Sequence, residues 1–138
     1  WPGKTPPGSN SSALQSLVDL APTFLKAAEG EIPGWMQGVD QSDVWSGQKA
    51  AARDSAICEF RHQPTKVHLR TYIENRYKIT IYRDQTYGEL FDLETDPGEM
   101  HNRWNDPDYA EIKRRLMQRF LNAELQREQM RYPRISGA

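Results

Sequence analysis

Three groups of side chains in this sequence have the types and spacing to do chemistry. The first is a lone thiol, Cys58, within Ser55-Ala56-Ile57-Cys58-Glu59-Phe60. A single cysteine forms no internal disulfide, and a nucleophilic thiol needs a His or Arg arranged around it. The apolar, strand-like surroundings predict a buried small hydrophobe instead. The second group is the acidic run Asp92, Glu94, Asp96 and Glu99. Clustered oxygens suit a hard cation such as Ca²⁺, but the EF-hand spacing and its central glycine are absent. A strand end followed by a turn accounts for the run better. Asp96 would cap the turn, Pro97 would preset its φ, and Glu99 and Asn102 would bond free backbone groups. The third group is Glu59, Arg61, His62, His68 and Arg70. Arg and His suit an anionic ligand, and Arg61 and His62 are the candidate substrate-binding residues. The plainer alternative makes all five ordinary strand-edge and turn residues, and His101 reads as turn scaffolding.

These groups need elements to hold them. Trp1 to Ser12 is rich in Pro, Gly and Ser and reads as an extended loop. Asp19 then offers an N-cap, with Pro22 in the first helical turn where its missing N–H costs little. Leu20, Phe24 and Ala27 or Ala28 share a face at helical spacing, and Gly30 is the expected left-handed stop. Glu31 to Ala52 has no clear period and reads as a connector; Trp35 and Trp45 within it are expected to pack on a neighbouring surface.

From Asp54 the pattern becomes β. Ser55–Arg61, Lys66–Ile73, Tyr77–Tyr82 and Gly88–Glu94 are strand candidates joined by short turns, which favours antiparallel hairpins. Val67, Leu69, Thr71 and Ile73 share one face, as do Tyr77, Ile79 and Ile81. A last helix starts at Asp106-Pro107, with Asp as N-cap and Pro at the first helical position, and runs to about Arg127. Tyr109, Ile112, Leu116, Phe120 and Ala123 form its apolar stripe, widened by Leu121 and Leu125. Lys113, Arg114, Arg115 and Arg119 read as a solvated face, and Met130 to Ala138 as an irregular tail. The fold class is α+β: a small antiparallel sheet packed by a C-terminal helix, preceded by a helix and loop. The division falls at residues 1–52 and 53–138.

The 138 residues carry a net charge of -1. That argues against a nucleic-acid partner and an anionic membrane surface. No apolar run approaches the roughly 20 residues of a membrane-spanning helix. The chain opens Trp1-Pro2-Gly3 without an initiating Met, so the natural N-terminus is expected upstream.

Two segments are more specific than composition. One is Ser16-Leu17-Val18-Asp19-Leu20-Ala21-Pro22-Thr23-Phe24-Leu25-Lys26-Ala27-Ala28-Glu29-Gly30, followed by Ile32-Pro33 and Met36-Gln37-Gly38. The other is Tyr77-Lys78-Ile79-Thr80-Ile81-Tyr82, then Gly88-Glu89-Leu90-Phe91-Asp92-Leu93-Glu94-Thr95-Asp96-Pro97-Gly98-Glu99-Met100-His101-Asn102. In order and spacing they resemble the C-terminal portion of type I sulfatases of the alkaline-phosphatase-like superfamily. The resemblance implies that residues 1–52 close the large α/β catalytic domain and that 53–138 form the small C-terminal subdomain.

It also implies sulfate-ester hydrolysis by a formylglycine and a Ca²⁺ held upstream, with none of that machinery in this chain. Cys58 is followed by Glu59-Phe60-Arg61 and lacks the proline of a Cys/Ser-x-Pro-x-Arg motif, and no Ser begins such a run. Lys4 lies near the family's late active-site lysine in order, but its Pro-Gly-Lys context does not match. No catalytic residue and no metal ligand are therefore assigned. Because the family's C-terminal subdomain can border the substrate cleft, Arg61 and His62 would face a sulfated small molecule or sugar. The expected partner is the missing catalytic domain or another copy of the chain, and the expected location is periplasmic or secreted. An apolar face including Leu14, Leu17, Val18, Leu20 and Phe24 should be left bare by the missing domain. The competing expectation is a non-catalytic, stand-alone binding or assembly module, dimerising by exchange through the Glu31–Ala52 connector.

Overall fold

The computed structural model describes residues 1–127; the tail reading for Met130–Ala138 lies outside the described residues. A single turn of 3₁₀ helix, Leu17–Asp19, leads into α1, Leu20–Ala27, and the connector holds one further helical turn, α2, Ser42–Trp45. Four strands follow, β1 Ser55–His62, β2 Val67–Glu74, β3 Tyr77–Tyr82 and β4 Gly88–Asp92, and α3, Ala110–Arg127, closes the described chain. The sheet order is β1-β2-β3-β4, antiparallel throughout. Each strand therefore pairs with its neighbour in sequence, as the short turns predict.

The core lies between the sheet and α3. Tyr72, Tyr77, Ile79 and Leu90 meet Leu116 and Phe120, with Ile57, Ile81, Tyr109, Ile112 and Ala123 around them. Helix α3 starts as expected: the Asp106 carboxylate accepts the Asp108 N–H at 3.0 Å, and Pro107 opens the first turn. Trp104 closes the β4 end of the core. Its ring lies on Gly88, where a Cβ would overlap it, and the Lys113 ammonium donates to its carbonyl at 2.5 Å.

The face that β2 gives to the helix departs from the sequence reading. Register sets Tyr72 opposite both Ile57 and Ile79, so β2 presents His68, Arg70, Tyr72 and Glu74 on the α3 side. Leu69, Thr71 and Ile73 take the other side. The polar residues are tolerated against the helix because α3 supplies their partners: Arg70 bonds Glu124, and Arg119 bonds Glu74 at 2.7 Å. Among the basic residues of α3, Arg114, Arg115 and Arg119 are exposed as read, and Lys113 is half-buried. Arg115 lies 5.6 Å from the centroid of the Tyr77 ring, and Arg76 lies 5.1 Å from the same ring. Leu121 and Leu125, read as part of the inward stripe, are exposed on the outer side.

The N-terminal segment is inverted. In α1 the buried residues are Pro22 and Thr23, whereas Leu17 is 85% exposed and Phe24 58%. Val18 and Leu20 are exposed beside them and Leu14 is half-buried. The left-handed residue after α1 is Glu29, with φ 59°, rather than Gly30. The helix still ends in a Schellman pattern, since Gly30 N–H donates to Leu25 O at 2.8 Å and Glu29 N–H to Lys26 O at 3.0 Å.

Candidate functional site

Asp19 takes the N-cap position of α1, but its carboxylate bonds no N–H of that helix; it caps the preceding 3₁₀ turn through the Ser16 N–H. It is the centre of a buried polar knot, 1% exposed. Its carboxylate accepts the N–H groups of Ser16 at 2.9 Å and Val39 at 3.0 Å, the Gln41 amide at 3.0 Å, and the Arg53 guanidinium. Thr23 extends the knot: its hydroxyl donates to Asp19 O at 2.6 Å and accepts the Gln41 N–H at 2.9 Å. Four donors on one buried carboxylate hold the helix, the connector and the entry to β1 together. Arg53 also donates to Ser55 O at 3.1 Å, so the knot reaches the first residue of the sheet. Of the two connector tryptophans, Trp45 donates to the Gln15 side chain at 3.0 Å and its ring lies 6.3 Å from Phe24.

The acidic run after β4 is scaffold. Asp92 accepts two bonds from the Arg76 guanidinium, at 3.0 and 2.8 Å, and one from Glu94 N–H at 3.2 Å. The Arg76 bonds outweigh burial and hold the Asp92 carboxyl below the usual carboxylate range. Asp96 accepts the N–H groups of Met100 and His101 at 3.1 and 2.8 Å, and those bonds lower its pKa as well. Asn102 accepts from Leu90 N–H at 3.0 Å and donates to Gly88 O at 3.0 Å, pinning the loop to β4. Glu99 differs from its reading: it has a left-handed φ of 55° and pairs with Lys78 at 2.5 Å instead of bonding backbone. Among the described residues no group of three His, Cys, Asp or Glu side chains is arranged to hold a metal ion.

Arg61 and His62 are neighbours on one strand, so their side chains point to opposite faces of the sheet. Arg61 lies on the α3 side, opposite His68. Its guanidinium bonds Glu59, which is also 3.4 Å from Arg70 and 3.5 Å from His68. Burial pushes the Glu59 carboxyl up, but the Arg61 bond and the charges of Arg70 and His68 prevail and hold it below its ordinary value. His62 lies on the other side, bonded to the Thr65 hydroxyl at 2.7 Å and stacked on Phe60 with centroids 6.1 Å apart. Cys58 shares the Phe60 face and is exposed rather than buried, because β1 is an edge strand. A separate cleft of about 560 Å³ lies at the opposite end of β1, between Met36, Val39, Arg53, Ile57, Ala123 and Arg127.

Residues 1–127 match the family described as N-sulphoglucosamine sulphohydrolase, C-terminal. The chain belongs to that sulfatase C-terminal family. Relatives of this sulfatase portion include the N-acetylglucosamine-6-O-sulfatase of Bacteroides thetaiotaomicron, 30% identical over 125 residues, covering 86% of this chain and 22% of the relative. The ulvan-active sulfatase of Formosa agariphila is 26% identical over 149 residues, covering 85% of this chain and 30% of that protein. A solved structure of a protein in complex with its substrate D-glucosamine-2-N,6-O-disulfate superposes with a TM-score of 0.84 at 28% identity, over 92% of this chain and 27% of that one. The chain thus spans between about a fifth and a third of the length of these two relatives. The four-stranded antiparallel sheet with its closing helix is the architecture these sulfatase portions share.

The match with the sulfatase C-terminal family agrees with the resemblance read from the two sequence segments, and the α+β architecture with the strand and helix pattern. The Asp19 knot was missed. Its one signal in sequence is an aspartate followed 34 positions later by a lone arginine, Arg53, just after the aperiodic connector, and that is too common a pattern to single out.

Proposed function

We propose that this chain is the C-terminal part of a sulfatase that hydrolyses the sulfate esters of sugars. The match of residues 1–127 to the sulfatase C-terminal family carries this reading. In it, the segment around α1 closes the catalytic domain, and the exposed face of Leu17, Val18, Leu20 and Phe24 is the surface on which that domain sits. The formylglycine nucleophile and the Ca²⁺ that polarises the sulfate belong to the upstream domain, and Asp92 and Asp96 of this chain are committed to scaffold bonds. Relatives named for sulfated glucosamine support a sulfated amino sugar as substrate. The end of the β1–β2 hairpin borders the cleft, with Arg61 or His62 contacting the anionic group from one face or the other. The protein works in the periplasm or outside the cell.

The test is sulfate release from glucosamine bearing N- and O-sulfate, measured on the protein with its upstream domain. Arg61→Ala or His62→Ala, whichever lies on the cleft side, raises KM by roughly five- to fiftyfold, the loss of one charge-assisted hydrogen bond of about 1.5–3 kcal/mol less solvent screening. Absence of sulfate release, or an upstream region without Cys/Ser-x-Pro-x-Arg, overturns the reading.

A further inference from the structure

The sheet face turned away from α3 carries a row of three aromatic rings and one leucine at the end where the β1–β2 and β3–β4 turns lie. Phe60 pairs in register with Leu69, and Leu69 with Tyr82. Tyr87, just before β4, continues the row, its ring 5.4 Å from that of Tyr82. The row crosses β1, β2 and β3 and ends beside the start of β4, and three interstrand spacings make it about 14 Å long. Phe60 is 52% exposed and Tyr87 51%, so both ends of the row are open. His62 lies nearly parallel to Phe60, with 15° between the rings, and widens the row along β1.

A carboxylate sits in this apolar row. Glu89 lies on the same face, opposite Thr80, and accepts hydrogen bonds from Tyr82 at 3.2 Å and Tyr87 at 3.3 Å on one oxygen. Its second oxygen has lone pairs left to accept further donors. Lys66 and Arg83, in the adjoining turns, are exposed; Arg83 is paired with Asp84 at 3.3 Å, and Lys66 places positive charge beside the strip.

We infer that this strip is an oligosaccharide-binding platform, taking a sugar chain with anionic substituents. Aromatic faces complement the C–H faces of pyranose rings, and a carboxylate held by two phenols complements their hydroxyl donors. A flat protein surface is a poorer occupant, because burying Glu89 under apolar side chains costs several kcal/mol without a new partner. The Lys66 ammonium suits sulfate on the same chain. The inference deepens the proposed function, resting on its sugar-sulfate substrate class, and adds that the protein grips a chain of sugars rather than a single unit.

The experiment measures direct binding, apart from turnover, by calorimetric titration of the protein with its upstream domain. The probes are a sulfated glucosamine-containing tetrasaccharide, its desulfated counterpart and the sulfated monosaccharide. Phe60→Ala and Tyr87→Ala together should weaken the sulfated tetrasaccharide tenfold or more, with the melting midpoint held within a few degrees. Phe60→Trp should restore binding. Glu89→Gln should weaken both tetrasaccharides by a similar factor. Unchanged tetrasaccharide affinity in the double variant overturns the inference, as does equal loss for the monosaccharide. If the double variant instead loses contact with the upstream domain, seen as a large fall in melting midpoint, the strip is an intramolecular seat and the inference is again overturned. A protein that releases no sulfate but binds the tetrasaccharide through Phe60 and Tyr87 would sink the sulfatase reading while leaving the platform standing.

Discussion

In the segment around α1 the fully enclosed side chains include Asp19, Thr23 and Gln41; in the sheet and α3 they include Ile79, Leu90 and Leu116. One region is polar inside and apolar outside, with Leu17 and Phe24 in solvent, and the other is the reverse. A buried polar knot fixes geometry but contributes little net stability, since each bond replaces one to water. An apolar core contributes on the order of 25 cal/mol per Å² removed from water. The sheet and helix are therefore built to stand on their own core. The α1 segment is held in one position by its polar knot and leaves Leu17, Val18 and Phe24 exposed.

The sharpest way to break this contrast is Asp19→Ala. It strands the Arg53 guanidinium and three other donors, and breaking a buried ion pair typically costs about 3–5 kcal/mol. Hydrogen exchange should rise through residues 16–53 and leave β2–β4 and α3 protected. Uniform loss of protection would mean that the two regions form one cooperative unit. Leu116→Ala is the converse. It opens a cavity in the centre of the core, costs about 2–5 kcal/mol, and should lower the denaturation midpoint of the sheet and α3.

Acid sharpens the contrast further. The folded-state pKa of Asp92 is lowered, chiefly by its bonds from Arg76. Its contribution is present above the ordinary aspartate pKa of about 3.9 and is lost as pH falls through the lower folded value. Asp92→Asn should flatten the stability profile below about pH 4, as read by urea unfolding at stepped pH. The smallest effect belongs to Phe24→Ser. On this chain alone it should change stability by no more than about 0.5 kcal/mol, while association with the upstream domain, measured by co-purification, should weaken. A large loss of intrinsic stability would show Phe24 to be part of an internal core.

The strands and α3 were legible because their signals are local. Alternation sets the strands, the turn after Tyr82 and the Asp96-Pro97-Gly98 turn bound β4, and Asp106-Pro107 starts the helix. Which face of β2 meets α3 was not legible. Arg70 and Glu74 look solvent-facing in sequence, and only Glu124 and Arg119, 54 and 45 positions away, make them inward residues. Cys58 misled for a related reason: an apolar neighbourhood reads as buried, but an edge strand is covered less than a central one. Leu121 and Leu125 fit a wide helical stripe, yet a single sheet face covers only the narrower set around Leu116 and Phe120. For the candidate site, the sequence named Arg61 and His62, but their adjacency in a strand puts them on opposite sides. The row of Phe60, Leu69 and Tyr82 appears only once register is known.

The sequential order of the strands has a kinetic consequence. Every pairing in the sheet joins neighbours along the chain, so each loop closed during folding is short and its entropy cost small. Hairpins of this kind form in about 1–10 μs. The bonds that tie down the α1 segment span 34 positions from Asp19 to Arg53 and 90 from Gln37 to Arg127. During synthesis Asp19 emerges well before Arg53, so the segment waits unlocked, its leucines and Phe24 available to any apolar surface already folded ahead of it on the ribosome.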